Sequence, residues 1–181
     1  MGQRMDCRSG RETLTVGQKA EPHVLVLGIG NVLMQDEGLG VRAVERLQER
    51  YHLPPEVRAV DGGVMGLELL PYLEDAERVL VLDAVKTGRP PGSVVRLEGQ
   101  DIPVALALKT SIHEVGLQEV LAVGRFRDSL PTRITLWGME PACMEVGIGL
   151  SSIISAALDD LVQAVAKEVG AKRREPSRNL E

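Results

Sequence analysis

The chain has 181 residues, of which 44% are apolar and 26% charged, a composition typical of one globular domain. Its net charge of −5 and its aromatic content of 2% argue against nucleic-acid binding, which needs clustered basic side chains and aromatic rings. The two cysteines make no disulfide framework, no apolar run reaches the ~20 residues that span a bilayer, and no apolar signal core begins the chain, so we expect a cytoplasmic protein without membrane contact.

Strand and helix patterns alternate along the middle of the chain. Residues 1–22 are polar and aperiodic and are predicted to be a flexible leader, and residues 171–181 are predicted to be a flexible charged tail. Between them, residues 23–170 are predicted to form a single α/β domain. Five short runs rich in Val, Leu and Ile predict buried strands, at residues 23–28, 56–60, 78–82, 93–97 and 133–138.

Helical spacing of apolar residues fills the intervals between these strands. A first helix is predicted around Leu39, Val44, Leu47 and Tyr51, a short one at residues 66–70, and a third at residues 114–123. A last helix begins near Ser151 or Ser152 as N-cap and is predicted to bury Ile154, Leu158, Leu161 and Val165. Only a short connection precedes the fourth strand, which predicts that it runs antiparallel in a mostly parallel sheet.

Acidic side chains follow three of the strands, where open α/β sheets place their sites. Asp36 and Glu37 come after the first strand, Asp61 after the second and Asp83 after the third. A dinucleotide site is the first alternative, because Gly28 and Gly30 follow a strand. Leu33 stands where that fingerprint needs its third glycine, and the two acids would repel a pyrophosphate.

A mixed set of oxygen and nitrogen ligands is the second possibility. Glu37, Asp83 and His113 could bind zinc or nickel, although each residue also has an ordinary structural explanation. The standard serine- and zinc-protease motifs are absent from the sequence, and no histidine is suggested as a partner for Cys143.

The segment from Gly28 to Val41, GIGNVLMQDEGLGV, resembles the N-terminal signature of the nickel–iron hydrogenase maturation endopeptidases, a family of C-terminal processing proteases. The resemblance continues through residues 61–63 and 66–70, Asp83, the H-x-x-G-L element at His113, and residues 147–151 before the last helix. It implies a three-layer α/β/α sandwich, phosphorylase/hydrolase-like, with a five-stranded sheet whose fourth strand is antiparallel.

The resemblance also implies an activity: removal of the C-terminal extension of a hydrogenase large-subunit precursor after nickel insertion. The family's metal-binding residues then correspond to Glu37, Asp83 and His113, and Asp61, Gly30 and Asn31 are candidates for substrate recognition. We expect nickel to be supplied by the precursor, no organic cofactor, and a monomer. A nicotinamide-binding oxidoreductase and a non-catalytic assembly factor that only docks the precursor are the alternatives.

Overall fold

The computed structural model describes residues 23–99, 101–102 and 116–175. Its strands are β1 (Val24–Ile29), β2 (Tyr51–His52), β3 (Val57–Gly63), β4 (Arg78–Ala84), β5 (Val94–Glu98), β6 (Arg133–Met139) and β7 (Lys172–Arg173). Five of them form one sheet in the order β3-β1-β4-β6-β5, and β2 pairs with β7. All neighbours in the large sheet are parallel except β5, which runs antiparallel to β6. The strand predicted at residues 93–97 is β5, and its predicted antiparallel direction is therefore confirmed.

Helices cover both faces of this sheet. They are α1 (Leu39–Arg50), α2 (Leu70–Glu74), α3 (Leu117–Phe126) and α4 (Ser152–Glu168), with 3-10 turns at Gln35–Gly38 and Gly66–Leu69. Helices α1 and α4 pack on one face, and α2 and α3 contribute to the apolar cluster on the other. This is the predicted α/β/α sandwich. No helix in the described ranges combines the length and apolar character that crossing a bilayer requires.

The last helix follows its sequence pattern closely. Ser151 is its N-cap, and the Ser151 hydroxyl accepts a hydrogen bond from the Ile154 amide. The four residues predicted to be buried have exposed fractions of at most 2%: Ile154, Leu158, Leu161 and Val165. Apolar residues at 3.6-residue spacing thus place α4 against the sheet, beside α1.

Several element ends differ from their predicted positions. Tyr51 was expected to continue the first helix, but α1 ends at Arg50 and Tyr51 begins β2, opposite Arg173. Lys172 and Arg173, within the stretch predicted to be a tail, form β7. Strand β4, predicted at residues 78–82, continues two residues further, to Ala84, so that Asp83 belongs to the strand. Helix α3 occupies residues 117–126, and residues 103–115 lie outside the described ranges.

A charged cluster ties the end of α4 to the sheet. Glu168 accepts hydrogen bonds from Arg96 of β5 at 3.1 Å and from the Trp137 indole of β6 at 2.7 Å, and it also pairs with Arg78 of β4. Burial would raise the pKa of Glu168, but the hydrogen bonds and charges of these partners outweigh it and hold that pKa below its ordinary value. The cluster therefore stabilises the fold far from the acidic edge of the sheet.

Candidate functional site

The glycines of the first loop let α1 begin directly against the sheet. A Cβ on Gly40, in the first turn of α1, would lie 2.0 Å from the Leu82 carbonyl oxygen of β4 and 2.4 Å from that of Ile29 in β1. A Cβ on Gly28 would lie 2.2 Å from the Gly40 carbonyl oxygen. Only glycine fits at both places, so the start of α1 lies over the boundary between β1 and β4. The connections leave β1 and β4 in opposite directions across the sheet, the position where α/β proteins bind ligands.

Gly30 packs against the backbone of Glu37. Its φ of +127° is unfavourable for other residues, and a Cβ there would lie 1.8 Å from the Glu37 carbonyl oxygen. The Gly30 amide donates to the Gly63 carbonyl oxygen at 2.9 Å, and the Asn31 side-chain oxygen accepts from the Leu33 amide at 3.0 Å. Both residues thus shape the loop itself, and their role in substrate recognition stays a prediction.

Glu37 and Asp83 are carried by elements that touch. Glu37 lies in the 3-10 turn Gln35–Gly38, half-buried, and this turn contacts β4. Asp83 lies near the carboxyl end of β4, opposite Gly138 of β6, and its exposed fraction is 0%. A buried and a half-buried carboxylate on touching elements, at the edge where α/β sheets bind ligands, can act as metal ligands or as a general base.

His113 lies in residues 103–115, outside the described ranges, so the geometry of the proposed trio stays a prediction. Within the residues that the structure does describe, no three His, Cys, Asp or Glu side chains are grouped so as to hold a metal ion. The two carboxylates at the β1–β4 boundary would need a further ligand from elsewhere in the chain or from the substrate.

Asp61 lies one strand away from Glu37, on the side opposite β4. It pairs with Gly28 across the β1–β3 ladder and is exposed. Its Oδ1 accepts a hydrogen bond from the Gly63 amide at 2.9 Å, which closes the turn at the end of β3. The recognition role predicted for Asp61 remains a prediction.

Asp36, the neighbour of Glu37, has a structural role that the sequence did not indicate. Its exposed fraction is 0%, and its carboxylate accepts four hydrogen bonds, from the amides of Ala142, Cys143 and Ser151 and from the Ser151 hydroxyl. Distances run from 2.7 to 2.9 Å. Asp36 thus fastens both ends of the 142–151 loop to the turn that carries Glu37.

Glu140 is a second structural acid at the same edge. It follows β6 directly, is buried, and its Oε2 accepts hydrogen bonds from the Thr87 amide at 2.6 Å and the Thr87 hydroxyl at 2.8 Å. Glu140 therefore holds the connection between β4 and β5. Since the donors to Asp36 and Glu140 are more than fifty residues away in sequence, neighbouring residues could not have shown that these two acids are structural.

The chain is similar to hydrogenase maturation proteins in sequence and in structure. Residues 41–168 match the family described as hydrogenase maturation protease. The hydrogenase expression/formation protein HupD of Rhodobacter capsulatus is 44% identical over 150 residues, which cover 82% of this chain and 71% of that one. The hydrogenase 2 maturation protease of Escherichia coli is 37% identical over 143 residues, covering 78% and 87%. The structure of the hydrogenase maturating endopeptidase HybD from E. coli aligns with a TM-score of 0.75 at 35% identity, covering 83% and 96%.

Proposed function

The chain belongs to the hydrogenase maturation protease family and is an endopeptidase, and from this premise we propose that it removes the C-terminal extension of a nickel–iron hydrogenase large-subunit precursor after nickel insertion. The observation that supports this most directly is the placement of Glu37 and Asp83. The 3-10 turn that carries Glu37 contacts β4, the strand that carries Asp83, at the β1–β4 boundary.

We propose that these two carboxylates and the imidazole of His113 are ligands for the nickel that the precursor already holds. A mixed oxygen and nitrogen ligand set suits nickel, and a metal bound there brings the precursor's scissile bond over the carboxyl edge of the sheet. Without nickel this docking energy is lost, which gives a physical reason for cleavage to wait for nickel insertion. The protein itself needs no organic cofactor in this mechanism.

One of the two carboxylates has a second available role, as the general base that takes a proton from the attacking water. Glu37 is the more accessible of the pair, because it is half-buried whereas Asp83 is completely buried. Glu37 is therefore the better candidate for proton transfer, and Asp83 for a fixed ligand. We further propose that the protein acts in the cytoplasm and that it is a monomer. Light scattering of the purified protein would test the oligomeric state.

The decisive experiment incubates the protein with nickel-loaded and with nickel-free precursor and measures the intact mass of the products. We expect a C-terminal peptide to be lost from the loaded precursor only. Asp83→Asn keeps the size of the side chain and should slow this cleavage by about 10²-fold or more, since a metal ligand or proton-transfer group is removed. The matched control is Asp75→Asn, an exposed residue that precedes β4 at the other edge of the sheet and should cleave like wild type.

The same experiment separates the rival functions. Binding of the precursor without any change in mass would favour a non-catalytic assembly factor. Equal cleavage of both precursor forms would refute nickel-dependent recognition while leaving the protease in place. Unchanged cleavage by Asp83→Asn would show that the ligand assignment is wrong.

A further inference from the structure

Exposed apolar side chains are concentrated at the carboxyl edge of the sheet. Among the residues that the structure describes, seven large hydrophobic side chains are exposed, and five of these lie in the loops that follow β1, β3 and β6. We call these five residues the apolar rim: Leu33, Val64, Leu67, Val146 and Ile148. Val146 and Ile148 are the most open, with exposed fractions of 84% and 85%. An exposed group of this kind, bordering a catalytic site, commonly marks a binding surface.

Backbone hydrogen bonds join the rim loops to one another and to the turn of Glu37. The Leu33 carbonyl oxygen accepts from the Gly147 amide at 2.9 Å, and the Gly147 carbonyl oxygen accepts from the Gln35 amide at 3.0 Å. Val146 and Ile148 flank Gly147 in the sequence. Because Gly147 bridges to Met34 and binds Leu33 and Gln35, these two side chains lie next to Leu33 and to the start of the turn that carries Glu37. The bond from Gly30 to Gly63, which precedes Val64, joins the loop after β3 to the same edge.

The rim is fixed in place before any partner arrives. Asp36 holds the loop with Val146 and Ile148 at both of its ends, through Ala142 and Cys143 on one side and Ser151 on the other. A surface ordered in advance loses little conformational entropy when it binds, so that more of the apolar contact energy appears as affinity. Val146 and Ile148 are thus exposed on a loop whose two ends are fixed by hydrogen bonds to Asp36.

The charges within the rim loops are of one sign, whereas exposed Lys86 and Arg89 belong to the neighbouring loop after β4. Asp61, Glu68 and Glu145 are exposed in or next to the same loops. No Lys or Arg occurs in residues 30–38, 64–69 or 140–151, which form these loops. A bound segment with carboxylates would be repelled here, whereas an apolar segment, with or without basic side chains, fits both the contacts and the charge.

We propose that the apolar rim binds the stretch of the precursor that flanks the scissile bond, and that this stretch is apolar and free of acidic side chains. The inference rests on the proposed function, because a polypeptide cleaved beside Glu37 has to leave the site across the neighbouring loops. The rim supplies recognition of the peptide that is independent of the nickel, and it raises affinity for the precursor without taking part in bond cleavage.

The test is the double substitution Val146→Ser and Ile148→Ser, assayed by steady-state cleavage of nickel-loaded precursor. Loss of two apolar contacts should raise KM roughly tenfold or more, with kcat within about twofold of wild type. Phe126→Ser is the matched control, because Phe126 is 92% exposed but ends α3 at the opposite edge of the sheet, and it should leave KM unchanged. Thermal unfolding of all three proteins checks that they are folded.

The predicted charge preference has its own measurement. Once product mass has located the cleaved bond, one apolar residue beside it is changed in the precursor to Asp or to Lys. The Asp precursor should show the larger rise in KM, because the rim loops carry only negative charge. Equal effects of Asp and Lys would overturn the assigned peptide chemistry.

Failure of the inference can be told from failure of the proposed function. If wild type does not process the loaded precursor at all, the proposed function fails and the docking role with it. If wild type processes the precursor and the double variant does so with an unchanged KM, only the docking role is overturned. A wild-type dimer that the double substitution dissociates, again with unchanged KM, would instead identify the rim as an interface between two copies of the chain.

Discussion

Substitution of Asp36 should show how much of the site depends on one buried carboxylate. Oδ2 of Asp36 accepts bonds from the amides of Ala142 and Cys143 and from the Ser151 hydroxyl, and Oδ1 accepts from the Ser151 amide. A hydrogen bond to a charged group contributes about 1.5–3 kcal/mol, and a buried donor left without an acceptor costs about 1–3 kcal/mol. Because water can enter the space that alanine leaves, we expect Asp36→Ala to lower the free energy of unfolding by about 3–5 kcal/mol, less than the simple sum.

Asparagine at the same position should be milder. Its carbonyl oxygen can keep the bonds made by one carboxylate oxygen, but its amide group then meets a donor at the other, so we expect a loss of about 2–3 kcal/mol. Urea unfolding followed by circular dichroism measures both values. Asp61→Ala is the control, since that exposed carboxylate accepts one short-range bond and its loss should be small. A loss below about 1 kcal/mol for Asp36→Ala would refute the view that Asp36 braces the loop.

Two further predictions concern the loop before Glu37 and the cluster around Glu168. Gly30→Ala should lower the cleavage rate at least about tenfold, because its Cβ would displace the Glu37 backbone, whereas Gly170→Ala, with a φ of +71° but open space around it, should leave activity unchanged. Glu168→Gln should lower the free energy of unfolding by about 1–2 kcal/mol at neutral pH, and the exposed Glu49→Gln should change it little. Since the folded-state pKa of Glu168 lies below its ordinary 4.5, its contribution is complete above that pH and is lost as the pH falls through the folded value. The difference between wild type and Glu168→Gln should therefore shrink below about pH 4.5, and a difference that grows there would contradict this sign.

The strand and helix pattern was largely determined by the sequence, because burial imposes short-range periodicity. Continuous Val and Leu runs can be buried on both faces only within a covered sheet, which is why β1 and β4 were predicted well. The stripe of α4 was predicted residue by residue, since 3.6-residue spacing fixes which side chains face the core. The short connection before β5 likewise sufficed to predict its antiparallel direction.

The family signature located Glu37 and Asp83 by their places in a motif, and the reason for that motif became visible only in three dimensions. Gly28 and Gly40 are 12 positions apart in sequence, yet a Cβ on Gly28 would meet the Gly40 backbone, and a Cβ on Gly40 would meet the backbone of Ile29 and Leu82, because α1 begins directly on the sheet. Gly30 packs against the backbone of Glu37, a contact that the sequence did not show, and the substrate-recognition role predicted for Gly30 stays a prediction. Sequence spacing does not reveal such backbone-to-backbone approaches, since they depend on how a helix is placed on a sheet.

Only the tertiary structure decided which acids at the carboxyl edge are structural. Asp36 and Glu140 obtain their hydrogen-bond donors from segments 51 to 115 residues away, so their environment is set by the packing of the loops and not by neighbouring residues. The pairing of Tyr51 with Arg173 is also long-range, and it ends α1 where helical periodicity would have continued. Local sequence patterns reflect the burial of individual residues, whereas the hydrogen-bond partners of a buried charge depend on the packing of the whole fold.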